Sequence, residues 1–399
     1  MQAAQSVFSE LVVIELASVL AGPSVGQFFA ELGATVIKVE NLRTQGDVTR
    51  RWKLASEPAT QDISAYFASA NWGKQSIALD LSCQAGRDVA YALLDKADVV
   101  ITSFKPGDAE KLLLDYKTLS TRNPKLIYGA ITGYGSHVPR AGYDAVLQAE
   151  AGFMYLNGEP GGPPVKMPVA LIDLLAAHQL KEGLLTALLL REKTGKGSYM
   201  EVSLLRAAIA SLANQATNYL VAGVAPQRLG SEHPNIVPYG TVFQTADQKE
   251  LVLAIGDDRQ FTHLCTVLGI ADKAQDASYS TNKARVQHRE EVNAFLKTEI
   301  LKRNREDLLQ ELIAKQVPAG AVHTIPEALA IPAAQGQLVE DATTGMKGLR
   351  QIAFDLDTQH HRELIAPPAF GQHTQQVLEN VAGLTPAQVQ KLKDQGAAQ

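Results

Sequence analysis

A carboxylate at Asp173 ends the apolar run from Pro168 to Ile172 and stands at the head of a helix-like stretch, Leu174 to Lys193. Two roles fit that position. As an N-cap, the side chain accepts a backbone N–H at the start of the helix. Held in place and partly stripped of water, it is a nucleophile able to attack an electrophilic carbonyl. The roles are compatible, because helix-end N–H groups and the helix dipole keep a carboxylate ionised, with a pKa at or below the ordinary ~3.9. Tetrahedral steps need backbone N–H donors for the oxyanion. Two glycine-bearing turns, Gly133 to Gly135 and Gly230 to Pro234, offer such donors or serve simply as turns.

Other reactive residue types are less suggestive. The nine histidines form no metal signature; His360 and His361 read as a surface pair and His178 as a partly buried structural residue, one turn beyond Asp173. Cys83 and Cys265 are too few and too far apart for a disulfide framework or a zinc site. Glu40 sits where the ribose-binding acid of a dinucleotide fold stands, but the preceding turn lacks the glycines such a site needs. Gly22 is followed by Pro23, which reads as a helix start.

The elements that position these residues begin with a strand, Leu11 to Leu16. A helix from Ser24 to Leu32 stops at Gly33, and a second strand runs from Ala34 to Glu40. This βαβ unit should be parallel and right-handed. The alternation recurs with a strand at Ser76 to Asp80, a helix at Gln84 to Lys96 and a strand at Asp98 to Thr102. A short helix around Ala109 to Leu114 leads to a strand at Leu126 to Ile131, and a further strand follows the Asp173 helix at Tyr199 to Leu204. Strands and helices taking turns predict a doubly wound, Rossmann-like sheet.

Gly133 to Met167 shifts to glycine, proline and polar residues and reads as loop. A separate α+β pattern starts at Glu250, and the tail returns through Gln351 to Leu356 to a last helix capped by Thr385 with Pro386 at its first position. The expected fold is α/β: a Rossmann-like large domain from residues 1–222 and 329–399, with a small α+β domain at 223–328 between them. Basic and acidic residues number 37 and 42, with no basic stripe to bind nucleic acid, though a locally basic groove can still hold an anion. The opening residues lack a signal-peptide pattern and no apolar run reaches ~18 residues, so the expectation is a cytoplasmic protein without membrane contact.

Taken in order, several short segments resemble the class III CoA-transferases, the group of formyl-CoA and carnitine CoA-transferases. They are Leu16 to Pro23, Val36 to Glu40, Gly46-Asp47 with Arg50, Asn71 to Leu81 and Ser103 to Gly107. Gly133 to Gly135, Tyr143-Asp144, Asp173, Thr194 to Gly197 and Gly371 to His373 complete the series. The resemblance covers nearly the whole chain. It implies that Asp173 carries the acyl group through anhydride and aspartyl-CoA thioester intermediates. It also implies CoA contacts from Leu20, Ala21, Asn41, Leu79, Ser103, Phe104, Lys111, Thr132 and Tyr134.

The implied substrates are an acyl-CoA donor and a carboxylic acid acceptor, with short dicarboxylates favoured and no tightly bound cofactor. The implied assembly is an interlinked homodimer. The chain departs from the group's pattern at Ile172, Ala177 and His178 beside the nucleophile, at Ser103, and at Asn41, where neighbouring Arg43 is a substitute base. Two alternatives accompany this reading. One is an α-methylacyl-CoA racemase, which needs a second acid/base group where this chain has Tyr143; the other is a CoA-binding protein without catalysis.

Overall fold

The computed structural model describes residues 6–357 and 363–399. They form two compact units, one from the chain up to Ala151 with Pro168–Leu212 and Gln335–Gln399, the other from Gly152–Met167 with Ala213–Ala334.

The first unit is built on six strands: β1 (Val12–Leu16), β2 (Thr35–Asn41), β3 (Gln75–Leu79), β4 (Val99–Thr102), β5 (Ile127–Thr132) and β6 (Ser198–Ser203). All pairs are parallel, in the order β3-β2-β1-β4-β5-β6. Strand β4 is a β-branched run, and every residue of β4 and β5 is buried, as the inner strands of a parallel sheet require. This is the Rossmann-like order, reversing direction between β1 and β4, and in such sheets ligands sit outside the carboxyl ends of the strands at that switch point.

Helix α1 (Ala21–Glu31) connects β1 to β2 with every residue buried. Its glycines serve packing: a Cβ on Gly22 would lie 2.3 Å from the Cβ of Ala17, and one on Gly26 would lie 1.9 Å from a Glu15 oxygen. The long helix Leu171–Thr194 feeds β6, ending at Gly195 in the left-handed conformation. A crossover helix leading into a parallel strand must begin at the carboxyl edge of the sheet, so the topology carries Asp173 to the edge where ligands bind.

The outer edge of β3 is covered by the tail. His373 N–H donates to Ser76 O, Ala78 N–H to the Thr374 hydroxyl, and Asp80 N–H to Ala397 O. These bonds satisfy strand groups that an open edge would leave unpaired. The last helix, Pro386–Asp394, has the expected Thr385 cap, completed as a capping box by Gln388.

The stretch from Gly133 to Met167 is not wholly loop: it carries helices at Asp144–Glu150 and Phe153–Leu156. A helix at Tyr116–Arg122, capped by Asp115, also lies beyond the sequence reading. The second unit has an antiparallel sheet of β7 (Tyr239–Gln244), β8 (Glu250–Ala254) and β9 (Ala319–Ala321). Phe261, Leu264, Leu296 and Leu308 form part of its core, and buried Arg285 is held by Asp258 at 2.8 Å and the carbonyls of Val237 and Tyr279.

Candidate active site

Asp173 is the third residue of its helix, not the N-cap; Ala170 stands at the cap and caps nothing with its side chain. The capping duty falls to Asp144, whose carboxylate accepts the Ile172 N–H at 2.8 Å and also a Gln148 amide N–H at 2.7 Å. Released from that duty, the Asp173 carboxylate is only 8 % exposed. Burial, and then the neighbouring Asp144, push its pKa up to about 7. The expectation of a pKa at or below the ordinary value is therefore reversed, because lost water and a like charge outweigh the helix dipole.

Tyr66 feels the charge of this carboxylate. Its phenol is pushed up by burial and then by Asp173, Asp144 and Asp47. Tyr66 lies just after Ser64, which caps the short helix Ala65–Ala68.

A groove of roughly 460 Å³ opens at the carboxyl ends of β1 to β4. Asn41, Ser103 and Phe104 of the sequence-derived set line it together with Ser18, Arg43, Arg51 and Ser82. Arg43 keeps 67 % of its side chain exposed while its Nε donates to Asp80 at 2.8 Å, so the outer guanidinium N–H groups remain at the groove mouth. A guanidinium there suits an anionic phosphate, and a volume of this size suits a small-molecule ligand.

The other named residues are placed differently. Leu20 is the buried N-cap of α1, and Ala21 is its buried first residue. Leu79 is wholly buried at the end of β3, the groove wall at that level being Asp80 to Ser82. Lys111 is exposed and pairs with Asp108 at 3.0 Å. Thr132 donates to Glu201 at 2.9 Å and accepts the Gly135 N–H at 3.1 Å, fixing the turn after β5. Tyr134 donates to Glu150 at 2.7 Å beneath the Arg140 guanidinium. At Gly133 a Cβ would lie 2.5 Å from the backbone of Gly142, so two chain segments touch there with no room for a side chain.

In the second unit, Gly230 donates its N–H to Gly158 O, and Glu232 pairs with Arg289 at 2.8 Å. His178 is exposed rather than partly buried, since it faces away from the buried stripe of its helix at Ala177 and Lys181. His360 and His361 lie outside the described residues.

Beneath the groove lies a buried charge network whose importance the sequence reading missed. Lys38 bridges Glu15 at 2.8 Å and Asp47 at 3.0 Å. Lys74 holds the other Glu15 oxygen at 2.7 Å, and Arg50 grips Glu40 at 2.6 and 2.9 Å. Burial alone would neutralise Lys38, yet Glu15, Asp47 and Glu40 raise its pKa above the ordinary range. Lys74, with fewer carboxylates near it, is lowered by burial to about 8. Glu40 is thus no ribose-binding acid: Arg50, Ser76 and the Asp47 N–H occupy its oxygens. The available signal was charge inside apolar strands, Glu15 in β1 and Lys38 and Glu40 in β2, since buried charges must be paired.

Comparison with known proteins bears on what this edge does. Residues 8–374 match the model of CoA-transferase family III. A succinate–glutarate CoA-transferase of Agrobacterium fabrum is 42% identical over 92% of this chain and 93% of its own length. An acetyl-CoA:oxalate CoA-transferase of Acetobacter aceti is 34% identical over 89% of this chain and 91% of its own. Among solved structures, a CAIB/BAIF family protein from Brucella suis is similar with a TM-score of 0.81 and 38% identity, covering 93% of this chain and 98% of that one.

Proposed function

The chain belongs to CoA-transferase family III, and from that premise we propose that it moves CoA from an acyl-CoA to a free dicarboxylic acid, with Asp173 as the covalent nucleophile. The observation that carries the proposal is a carboxylate 8 % exposed and raised to about 7, held at the sheet edge that also bears the groove. At neutral pH a substantial fraction is ionised, and burial has removed the water that would mask it.

In the proposed cycle the Asp173 carboxylate attacks the donor thioester, forming an acyl-aspartyl anhydride and expelling CoA thiolate. The thiolate attacks the aspartyl carbonyl, releasing the donor acid and leaving an aspartyl-CoA thioester. The acceptor carboxylate attacks that thioester to give a second anhydride, and CoA thiolate then removes the new acyl group. Asp173 returns as carboxylate, and no proton is consumed. Backbone N–H groups of the turn from Gly133 to Gly135, braced by Thr132 and Glu201, are the proposed oxyanion donors.

CoA itself is proposed to lie against Phe104, with Asn41, Ser103 and Arg43 at its polar parts; Leu20, Ala21, Lys111, Thr132 and Tyr134 complete the proposed contact set, with Asp80 to Ser82 taking the place of buried Leu79. Dicarboxylate acceptors are favoured because the relatives named above act on glutarate, succinate or oxalate. A small α+β domain set between two parts of the larger one, a homodimer and a cytoplasmic location complete the proposal.

Incubation with succinyl-CoA and hydroxylamine, followed by peptide mass spectrometry, tests it. The expected product is Asp173 hydroxamate, formed by capture of the activated aspartyl carbonyl. An unmodified Asp173 in protein that still turns over would reject the covalent route.

A further inference from the structure

The turn between β1 and α1 holds a residue in a conformation its side chain opposes. Val19 has φ 73, and a β-branched residue in the left-handed region is a genuine outlier. Such a residue persists only where its surroundings over-determine it, and such sites cluster where ligands are gripped. Here the surroundings are explicit. The Val19 N–H points between the two Asp47 carboxylate oxygens at 3.2 and 3.3 Å. The Ala17 carbonyl accepts from Lys38 Nζ at 2.8 Å, and the Ser18 N–H donates to the Ser103 hydroxyl at 3.2 Å.

Three consecutive residues are therefore pinned by three side chains from three separate segments. Asp47 and Lys38 are themselves joined at 3.0 Å with both side chains 1 % exposed. Asp47 also takes the N–H and hydroxyl of Thr49. Ala17 and Ser18, the residues so fixed, form part of the groove wall.

We propose that Asp47 is a positioning residue for CoA: by holding the Val19 N–H it keeps the strained turn, and with it the Ala17–Ser18 wall, in the shape that admits the ligand. The proposal rests on the CoA-transferase reading above. Apparent affinity falls in proportion to the population of the competent conformation. Without the carboxylate Val19 relaxes to negative φ, and a competent population of about one tenth raises the apparent Kd roughly tenfold. Glycine populates positive and negative φ about equally. Placing it at position 19 in the Asp47→Ala background therefore restores the Kd to within about twofold of the original.

The test is a double-substitution cycle on the full chain with Asp47→Ala, Val19→Gly and the pair together. It is read by calorimetric titration with CoA and by the KM and kcat of transfer from succinyl-CoA. A tenfold loss in Kd and KM at Asp47→Ala, with kcat changed less, and recovery in the pair support the inference. An unchanged Kd at Asp47→Ala overturns it, as does a loss that glycine at 19 does not repair, which marks a merely structural aspartate. Should the alanine variant not fold, the cycle is read by the same criteria on Asp47→Asn, where an amide oxygen can accept only part of what the carboxylate does. A crystal structure of either variant with Val19 still at positive φ also overturns it. Failure of the underlying reading shows elsewhere: the unsubstituted protein then takes up no CoA, while the variant structures still report on the turn.

Discussion

Replacing Asp173 by asparagine should remove activity and, at neutral pH and above, make the protein more stable. The sign follows from the proton balance. In the unfolded chain the carboxyl ionises near 3.8, whereas in the fold it holds its proton up to about 7. Between those values the folded state binds more protons than the unfolded state, so wild-type stability falls as pH rises through that window and is level on either side. Each unit of difference is worth ~1.36 kcal/mol, and about three units give at most ~4 kcal/mol. Local relaxation and water entry reduce that to roughly 2 kcal/mol, in keeping with the smaller effective penalties measured for buried ions. Asparagine has the same shape and does not ionise, so the variant lacks this pH-dependent loss.

Urea unfolding of both proteins at several pH values between 4 and 8 measures the difference. The expected result is near equality at pH 4 and a variant more stable by about 2–4 kcal/mol at pH 8. The wild-type transfer rate should rise with pH through about 7, because the ionised form is the proposed nucleophile. A stability difference independent of pH, or an Asp173→Asn protein less stable at pH 8, would refute the reasoning and restore a capping role.

Two further substitutions probe the same edge. Asp144→Asn keeps an oxygen for the Ile172 N–H but removes the like charge beside Asp173. The midpoint of the rate profile should move to lower pH by less than half of the whole rise, since burial is the larger cause; an unmoved midpoint would dismiss the electrostatic coupling. Gly26→Ala would place a Cβ 1.9 Å from Glu15 Oε2 and force apart the buried Glu15–Lys74 pair. Breaking such a pair costs about 3–5 kcal/mol, measurable by urea unfolding, and a loss below ~1 kcal/mol would show that the network yields.

The parallel sheet was legible because its signal is local: Val12 to Ile14 and Val99 to Ile101 are short β-branched apolar runs. The start of the Asp173 helix was not, because the group that satisfies its first turn comes from Asp144, 28 residues earlier in the chain. Local capping rules reward a carboxylate at the boundary and so moved Asp173 from the third helical position to the cap. Moving it also inverted its electrostatics, since a cap is hydrogen-bonded and ionised, whereas a buried first-turn carboxylate beside another is hard to ionise. The short helices at Asp144–Glu150 and Phe153–Leu156 were hidden for a related reason: at four to seven residues they owe little to propensity and most to what they pack against.

The two misread features have one physical origin. Because Asp144 caps the helix, Asp173 is free of hydrogen-bonding duty at the backbone, and because both carboxylates crowd one end of that helix, ionising Asp173 is costly in the free protein. In the proposed cycle, forming an anhydride or thioester turns the aspartyl carboxylate into a neutral group and transfers the negative charge to the departing thiolate or acid. The penalty of burying charge at position 173 is then relieved in the step that makes the bond. A cap aspartate, already stabilised as an anion, would lose that advantage, so the placement of Asp173 three residues beyond the Ala170 cap favours the proposed nucleophilic role.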